Sequence, residues 1–192
     1  MNTDVLIIGS GIAGLSAAIY IAEKNSNLNI DILTKDIPQE TNTQYAQGGI
    51  AAVWDLEKDS LQSHIQDTLI AGDGLCNRSV VEFVVQEGPE RVGELIKWGT
   101  AFDQSNNAYE LGVEGGHSHN RILHHKDITG SEIHRALMQK CNTYNNINIH
   151  KNVFAVDLIT QHHLGRNITR LTPDIECYGA YVLSPNENQV SK

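Results

Sequence analysis

Asp4-Val5-Leu6-Ile7-Ile8-Gly9-Ser10-Gly11-Ile12-Ala13-Gly14 is the stretch whose reading decides the fold, and residues 15–34, LSAAIYIAEKNSNLNIDILT, complete it. Residues 4–9 read as a short buried strand. Residues 12–24 set apolar and small side chains at helical spacing, and Asn25 is a plausible stop. Residues 28–34 alternate apolar and polar and read as a second strand. Strand, helix and strand within about thirty residues form a parallel crossover unit, whose hand is right-handed. The GxGxxG run follows the first strand and opens the helix, which is the context that gives it a mechanism. Gly9 permits the tight turn, Gly11 lets the backbone approach a pyrophosphate, and Gly14 lets the helix pack close to the strand. The helix N-terminus turns N–H donors and a positive dipole end toward the phosphates. The expected fold is therefore α/β, a Rossmann-like domain with a βαβ dinucleotide unit.

An ordinary dinucleotide fingerprint ends its second strand with an acid that binds the ribose. Here the strand ends Leu33-Thr34-Lys35. A lysine cannot accept hydrogen bonds from ribose hydroxyls. Asp36 is adjacent and is either a displaced ribose ligand or a plain loop acid. The pattern disfavours a nicotinamide dinucleotide and favours a cofactor with a second anchoring segment. Such a segment exists in Asn42-Thr43-Gln44-Tyr45-Ala46-Gln47-Gly48-Gly49-Ile50-Ala51-Ala52, which joins amide side chains to Gly-Gly and small residues. Its glycines allow backbone N–H groups to come close to ring heteroatoms and phosphates. A third run is Glu114-Gly115-Gly116-His117-Ser118-His119-Asn120-Arg121-Ile122-Leu123-His124-His125. Four histidines in so short a span raise the question of a metal. The run lacks both cysteine partners and an HExxH helix, so no metal is expected.

The rest of the chain bounds the reading. It has 192 residues, with 14 Lys and Arg against 23 Asp and Glu, a formal net charge of −9. That balance argues against a nucleic-acid partner, because phosphate binding needs clustered positive charge. No apolar run reaches the roughly 18–20 residues of a membrane span. No basic segment precedes the first apolar residues, so a secretory or transit peptide is not expected, and the expected location is cytoplasmic. Cys76, Cys141 and Cys177 form no CxxC pair and read as reduced thiols. Residues 36–49 read as irregular. Residues 60–71, 79–98 and 129–143 read as helices. An apolar stripe of Val80, Phe83, Val84, Val92, Leu95 and Ile96 marks the second, with Gly99 as its stop. Thr129 or Ser131 is a cap for the third. Residues 100–128 read as a second long irregular segment. Residues 147–160 read as strand, kink, strand, then a polar connection leads to a strand over 176–184 and a turn over 186–192.

GSGIAG, LTK, TNTQYAQGGIAAV, DTLIAGDGLC, EGGHSHNRILHHKDITG and AVDLI follow one another in an order that resembles the L-aspartate oxidase family. That family lies within the wider group of succinate dehydrogenase and fumarate reductase flavoproteins. The resemblance runs from about Asp4 to about Leu183. It implies FAD as cofactor. Ser10, Gly11, Ile12 and Ala13, between Gly9 and Gly14, would line the pyrophosphate, and Lys35 matches a lysine the family carries. Asn42, Thr43, Gln44, Tyr45, Ala46, Gln47, Gly48 and Gly49 would wrap the flavin and its ribitol arm. Ala155 and Val156 would touch the adenine side through backbone atoms. Glu114 would lie in the substrate region and meet the substrate ammonium, with His117 and His119 as weaker members of that pocket. Many relatives in the wider group link FAD covalently through a histidine four residues before the AxGG run. Asn42 stands there, and a carboxamide cannot form that link, so non-covalent FAD is implied.

The implied activity is oxidation of L-aspartate to iminoaspartate, with oxygen or fumarate as acceptor, in the first step of NAD biosynthesis. Handover of iminoaspartate to quinolinate synthase is implied as well. Family members are much longer, and their catalytic arginine is expected beyond Lys192. Residues 1–192 are thus expected to be the N-terminal part of an FAD-binding domain, incomplete at the C-terminus, without capping or C-terminal helical domains. Such a piece would be inactive alone. The alternatives are a fumarate reductase or succinate dehydrogenase flavoprotein, a non-catalytic FAD-binding fragment, and an NAD-linked dehydrogenase, which Lys35 disfavours.

Overall fold

A computed structural model describes residues 2–184 and 189–191. In chain order the elements are β1 (Val5–Ile8), α1 (Ile12–Lys24), β2 (Ile30–Thr34), α2 (Asn42–Tyr45), β3 (Ile50–Ala51), α3 (Leu61–Ala71), α4 (Arg78–Lys97), β4 (Gln104–Ser105), β5 (Ala108–Tyr109), β6 (Leu111–Gly112), β7 (Ile122–Leu123), α5 (Thr129–Cys141), β8 (Ile147–Lys151), β9 (Phe154–Thr160), β10 (Cys177–Ser184) and β11 (Gln189–Ser191). A 3-10 turn follows β9 at Gln161–Leu164. The fold is mixed α/β and divides into two units, Met1–Thr41 with Cys141–Lys192, and Asn42–Lys140.

In the first unit β1 and β2 run parallel, with Val5 opposite Ile30 and Ile8 opposite Leu33. β8 lies parallel on the other side of β2. Between β1 and β2 the chain passes through α1, which buries Leu15, Ala18, Ile19 and Ala22. That is the i, i+3, i+4, i+7 stripe of a helix laid on a sheet. The helix stops at Asn25, whose N–H donates to the Ile21 carbonyl at 2.8 Å. Gly9 turns the chain at φ +108°, a conformation that suits glycine. A Cβ on Gly14 would fall on the Gly9 carbonyl oxygen, so the helix packs this close to the turn only with glycine there.

Two expectations change here. β2 does not alternate between core and solvent, because all five of its residues are buried. It is the central strand, and both its faces are covered. Its buried Asp31 is satisfied by a 3.0 Å hydrogen bond to His150 Nε2 on the neighbouring strand. β1, by contrast, is only half-buried, and Ile8 is 53% exposed. It pairs on one side alone, as an edge strand.

The kink expected within 147–160 falls at Asn152, with φ +57°. It sends the chain from β8 into a second, antiparallel sheet of order β11-β10-β9. Leu33, Val153, Ala180 and Val182 form a buried cluster, with Leu6 against it. The turn expected over 186–192 is replaced at Gln189–Ser191 by a strand paired with β10. The rest of that turn lies outside the described residues.

The second unit is built on a three-stranded antiparallel sheet, β3-β7-β6, and on α3, α4 and α5. Ala52, Val92, Phe102 and Leu123 make its buried cluster, edged by Ile50, Trp54, Ile96, Tyr109 and Leu111. Ser60 caps α3 by accepting the Ser63 N–H, and Asn77 caps α4 by accepting the Ser79 N–H. β4 and β5 join through Asn106 and Asn107, both left-handed, as a two-residue hairpin requires. The segment expected to be irregular over 36–49 contains α2. The apolar stripe of α4 holds over only half its length. Val85, Val92 and Leu95 are buried, whereas Val80, Phe83 and Val84 are exposed. Only the later turns lie on the cluster around Val92. Thr129 and Ser131 are engaged differently from caps. The Thr129 hydroxyl accepts the His125 N–H, and Ser131 accepts from the Gln44 amide.

These contacts separate two glycines. Gly14→Val should cost about 1–3 kcal/mol or more through overpacking against the Gly9 carbonyl. Gly93→Ala, in the interior of α4 with nothing within 4 Å of the added Cβ, should gain about 0.5–1 kcal/mol. Urea midpoints of the two variants should move in opposite directions.

Candidate cofactor-binding site

The first unit carries the glycine turn. The Gly9 N–H donates to the Leu33 carbonyl at 2.8 Å, which fixes the turn to the end of β2. Ser10 is buried, and its hydroxyl donates to the Pro38 carbonyl at 3.0 Å. That hydroxyl therefore holds the loop after β2. Gly11 is the N-cap of α1 and places no side-chain oxygen over the first turn. Ile12 and Ala13 stand exposed at that end, and Gly14 packs inward. A thirteen-residue helix whose N-cap lacks a side-chain acceptor, preceded by a glycine turn, suits a ligand phosphate. Lys35 is exposed just past β2. Asp36 turns its carboxylate to its neighbour's Ile37 N–H at 2.7 Å, as a loop acid does. On β9, Ala155 is half-buried and Val156 exposed.

A cavity of about 670 Å³ also lies in this unit, walled in part by Leu6, Ile8, Leu158, Tyr178 and Val182. None of the site residues expected from sequence lines it.

The second unit carries the amide- and glycine-rich segment and the 114–125 run. α2 is held to the start of α5. The Gly130 N–H donates to the Ala46 carbonyl at 2.9 Å, and the Gln44 side-chain amide donates to the Ser131 hydroxyl at 2.9 Å. A Cβ at Gly130 would collide with the Thr43 carbonyl oxygen. Asn42 and residues 45–48 remain exposed on this support. Gly49 is glycine for a different reason, since its Cβ would strike Ile122 and Leu123 of β7. Glu114 is exposed, and its carboxyl oxygen would sit 3.4 Å from a Cβ on Gly48. The carboxylate therefore stands beside the Gly48-Gly49 step within one unit.

The histidines divide into two groups. His124 and His125 present Nδ1 to Asp103 at 3.2 and 3.5 Å. Asp103, held first by the Lys126 N–H and also by these rings, has a carboxyl below the usual range. His117 and His119 instead face α3. The His119 Nδ1 is 2.8 Å from the Ser118 hydroxyl and 3.1 Å from the Ser63 hydroxyl. The His117 ring meets His64 edge-on, centroids 6.1 Å apart. Burial, then the nearby Arg121 and His117, pushes His64 down, so its imidazole favours the neutral form. Among the described residues no three His, Cys, Asp or Glu groups gather to hold a metal ion.

The strongest electrostatic feature was not singled out from the sequence. Arg121 is completely buried. It donates to Asp59 through Nε at 2.7 Å and Nη2 at 2.9 Å, and to Asp67 through Nη1 at 2.7 Å. Burial pushes both carboxyls up, but Arg121 and the Ser60 N–H together outweigh it at Asp59. At Asp67 the Ser118 N–H and hydroxyl and Arg121 win, and its pKa falls to about 2. Arg121 lies inside the quoted 114–125 run and Asp67 opens the DTLIAGDGLC run, so both were visible. What was missing was any signal that they meet. Cys76, Cys141 and Cys177 are free, and burial pushes the Cys141 thiol up to about 12.

The class that fold and site define is a mixed α/β protein in which one unit carries a glycine turn at a helix N-terminus and the other an amide–glycine segment on a short helix. Comparison with known proteins narrows the class. Residues 4–192 match the FAD binding domain family, and the chain belongs to it. It is 46% identical to the chloroplastic L-aspartate oxidase of Oryza sativa subsp. japonica over 177 residues, which are 92% of this chain and 26% of that protein. It is 45% identical to the L-aspartate oxidase of Yersinia pestis, covering 94% of this chain and 33% of that one. A solved E. coli quinol fumarate reductase superposes with a TM-score of 0.84 at 28% identity, over 96% of this chain and 29% of that chain. The chain thus spans about a quarter to a third of the length of these relatives. No helix among the described residues is long and apolar enough to cross a membrane.

Arg121→Ala should destabilise the protein by about 3–5 kcal/mol, because it strands the buried Asp59 carboxylate. Asp67 sets an acid limb. Its folded pKa lies below the ordinary 3.8, so its stabilisation is present above about pH 4 and is lost as pH falls toward 2. Urea midpoints measured from pH 7 to 2 should fall over that window, and less steeply in Asp67→Asn.

Proposed function

We propose that this chain supplies the FAD cradle and one wall of the active site of an L-aspartate oxidase, which converts L-aspartate to iminoaspartate in the first step of NAD biosynthesis. The observation that carries this reading is the Glu114 carboxylate beside Gly48. It puts an exposed anion, suited to a substrate ammonium, next to the segment assigned to the flavin. The parallel β1-α1-β2 run supports a Rossmann-like βαβ dinucleotide unit. In this reading 1–192 is the N-terminal part of the FAD-binding domain, and the substrate-binding histidines and catalytic arginine belong to later parts of the protein.

Gly9, Ser10, Gly11, Ile12, Ala13 and Gly14 take the pyrophosphate at the α1 N-terminus. Lys35 lies at the strand end, and Ala155 and Val156 offer backbone to the adenine side. Residues 42–49 hold the flavin side, with Asn42 unable to form a histidyl bond, so FAD is bound non-covalently. FAD held by these residues would supply the redox chemistry: oxidation at Cα–N releases two electrons and two protons, and the same two electrons and two protons reduce oxygen to hydrogen peroxide or fumarate to succinate. Glu114 orients the substrate by its ammonium, with His117 and His119 shaping the same wall. A cytoplasmic location and transfer of iminoaspartate to quinolinate synthase belong to the same reading.

Fumarate reduction with no amine oxidation is the second reading, favoured by the 0.84 superposition on a quinol fumarate reductase. The full-length protein, purified with its flavin, distinguishes the two. L-aspartate should bleach the flavin absorbance anaerobically and produce peroxide in air. Bleaching by succinate but not by L-aspartate would support the second reading and remove the first. Gly11→Val should lower flavin retention at least about tenfold, since a branched side chain would occupy the pyrophosphate path. Unchanged retention in dialysed protein would contradict the cradle assignment.

A further inference from the structure

One face of α3 reaches every turn of the 117–121 segment. Ser63 Oγ lies 2.9 Å from the Ser118 hydroxyl, 3.1 Å from His119 Nδ1 and 3.4 Å from Arg121 Nη2. His64 packs edge-on against His117. Asp67 accepts from the Ser118 N–H at 2.8 Å, the Ser118 hydroxyl at 2.8 Å and Arg121 at 2.7 Å. Ser63, His64 and Asp67 are spaced i, i+1 and i+4, so they lie on one helical face. Just before that helix, Asp59 locks the other edge of the same guanidinium. The Glu114 end of the loop is tied to this segment by its own backbone, because the His117 N–H donates to the Glu114 carbonyl at 3.1 Å.

We infer that Asp67 is a positioning residue for the substrate wall: by gripping Ser118 and Arg121 together it sets the backbone course of 114–119, and so the place of the Glu114 carboxylate. The inference rests on the reading of Glu114 given above, but its first test does not. Asp67 is assigned no contact with substrate. It acts through a backbone N–H, a hydroxyl and a buried cation. A neutral carboxamide in its place accepts more weakly from the Ser118 N–H, the Ser118 hydroxyl and Arg121 Nη1, which all share one Asp67 oxygen, while Asp59 keeps that guanidinium paired. The loop therefore loosens without stranding the buried cation.

The test uses the full-length flavin-loaded protein with Asp67→Asn and, as a milder variant, Ser118→Ala. Hydrogen exchange of the amides in 115–119 should speed by about tenfold or more in Asp67→Asn, with α5 amides unchanged. The KM for L-aspartate should rise about tenfold while kcat and flavin content stay within about twofold of the parent. Ser118→Ala should move both in the same direction by about threefold. Unchanged exchange in 115–119 in either variant overturns the positioning role whatever the activity does. Faster exchange with an unchanged KM also overturns it, since the loop would then move without consequence for substrate. Should Asp67→Asn fail to fold, Ser118→Ala, at an exposed position, decides alone. Failure of the parent to oxidise L-aspartate at all would instead remove the proposed function and leave the exchange result standing by itself.

Discussion

A guanidinium with no exposure to solvent must be paired on the spot where it is buried, and Arg121 imposes that condition on the second unit. The desolvation of such an ion costs several kcal/mol unless carboxylates and hydrogen bonds replace its water. Asp59 and Asp67 do so with bonds of 2.7–2.9 Å. The cost is offset only if Asp59, just ahead of the α3 cap, Asp67 in the middle of α3 and Arg121, just ahead of β7, meet at one point. The Asp59–Asp67 stretch is thereby locked to Arg121, 54 to 62 residues away in sequence, and the loop leading into β7 has little freedom left. Neutral side chains of the same size could pack as stably. They would not fix the loop's course by direction and charge in the same way.

The glycines show how one residue type serves unrelated needs. Gly9 supplies a left-handed turn, and Gly14 supplies contact between helix and turn. These two roles follow from a motif with a known geometry, and they were legible from spacing alone. Gly130 and Gly49 were not. Gly130 makes room for the Thr43 carbonyl, and Gly49 makes room for β7, contacts between segments tens of residues apart. A single sequence carries no local trace of such neighbours. The Asn42-to-Gly49 segment was read as loop because its composition is polar and small. Its short helix forms because Gly130 and Ser131 of α5 receive it, a tertiary support that outweighs local propensity.

The same contrast explains the strands and the histidines. Parallel pairing of β1 and β2 through α1 follows from period and length. The full burial of β2 does not, because alternation in IDILT reflects a single buried aspartate paired with His150 and not a solvent face. The apolar run of β1 suggests burial on both faces, yet its place at the edge leaves Ile8 half in water. Four histidines close in sequence looked like one feature. β7 separates their surroundings, sending His124 and His125 to Asp103 and leaving His117 and His119 against α3.

That division bears on how a substrate wall is made. A group that must meet a ligand's charge has to stay solvated until the ligand arrives, or it will be neutralised by a neighbour. Glu114 is exposed, beside Gly48. The ion cluster proposed to fix its backbone is the opposite: Asp59 and Arg121 are buried, Asp67 is partly buried, and all three are engaged with one another. Precision comes from the buried ion cluster and availability from the exposed acid. A carboxylate held by its own salt bridge would gain rigidity at the expense of the charge that the proposed role asks it to offer. Placing the salt bridge several residues away, on Arg121, supplies the rigidity and leaves the charge of Glu114 unspent.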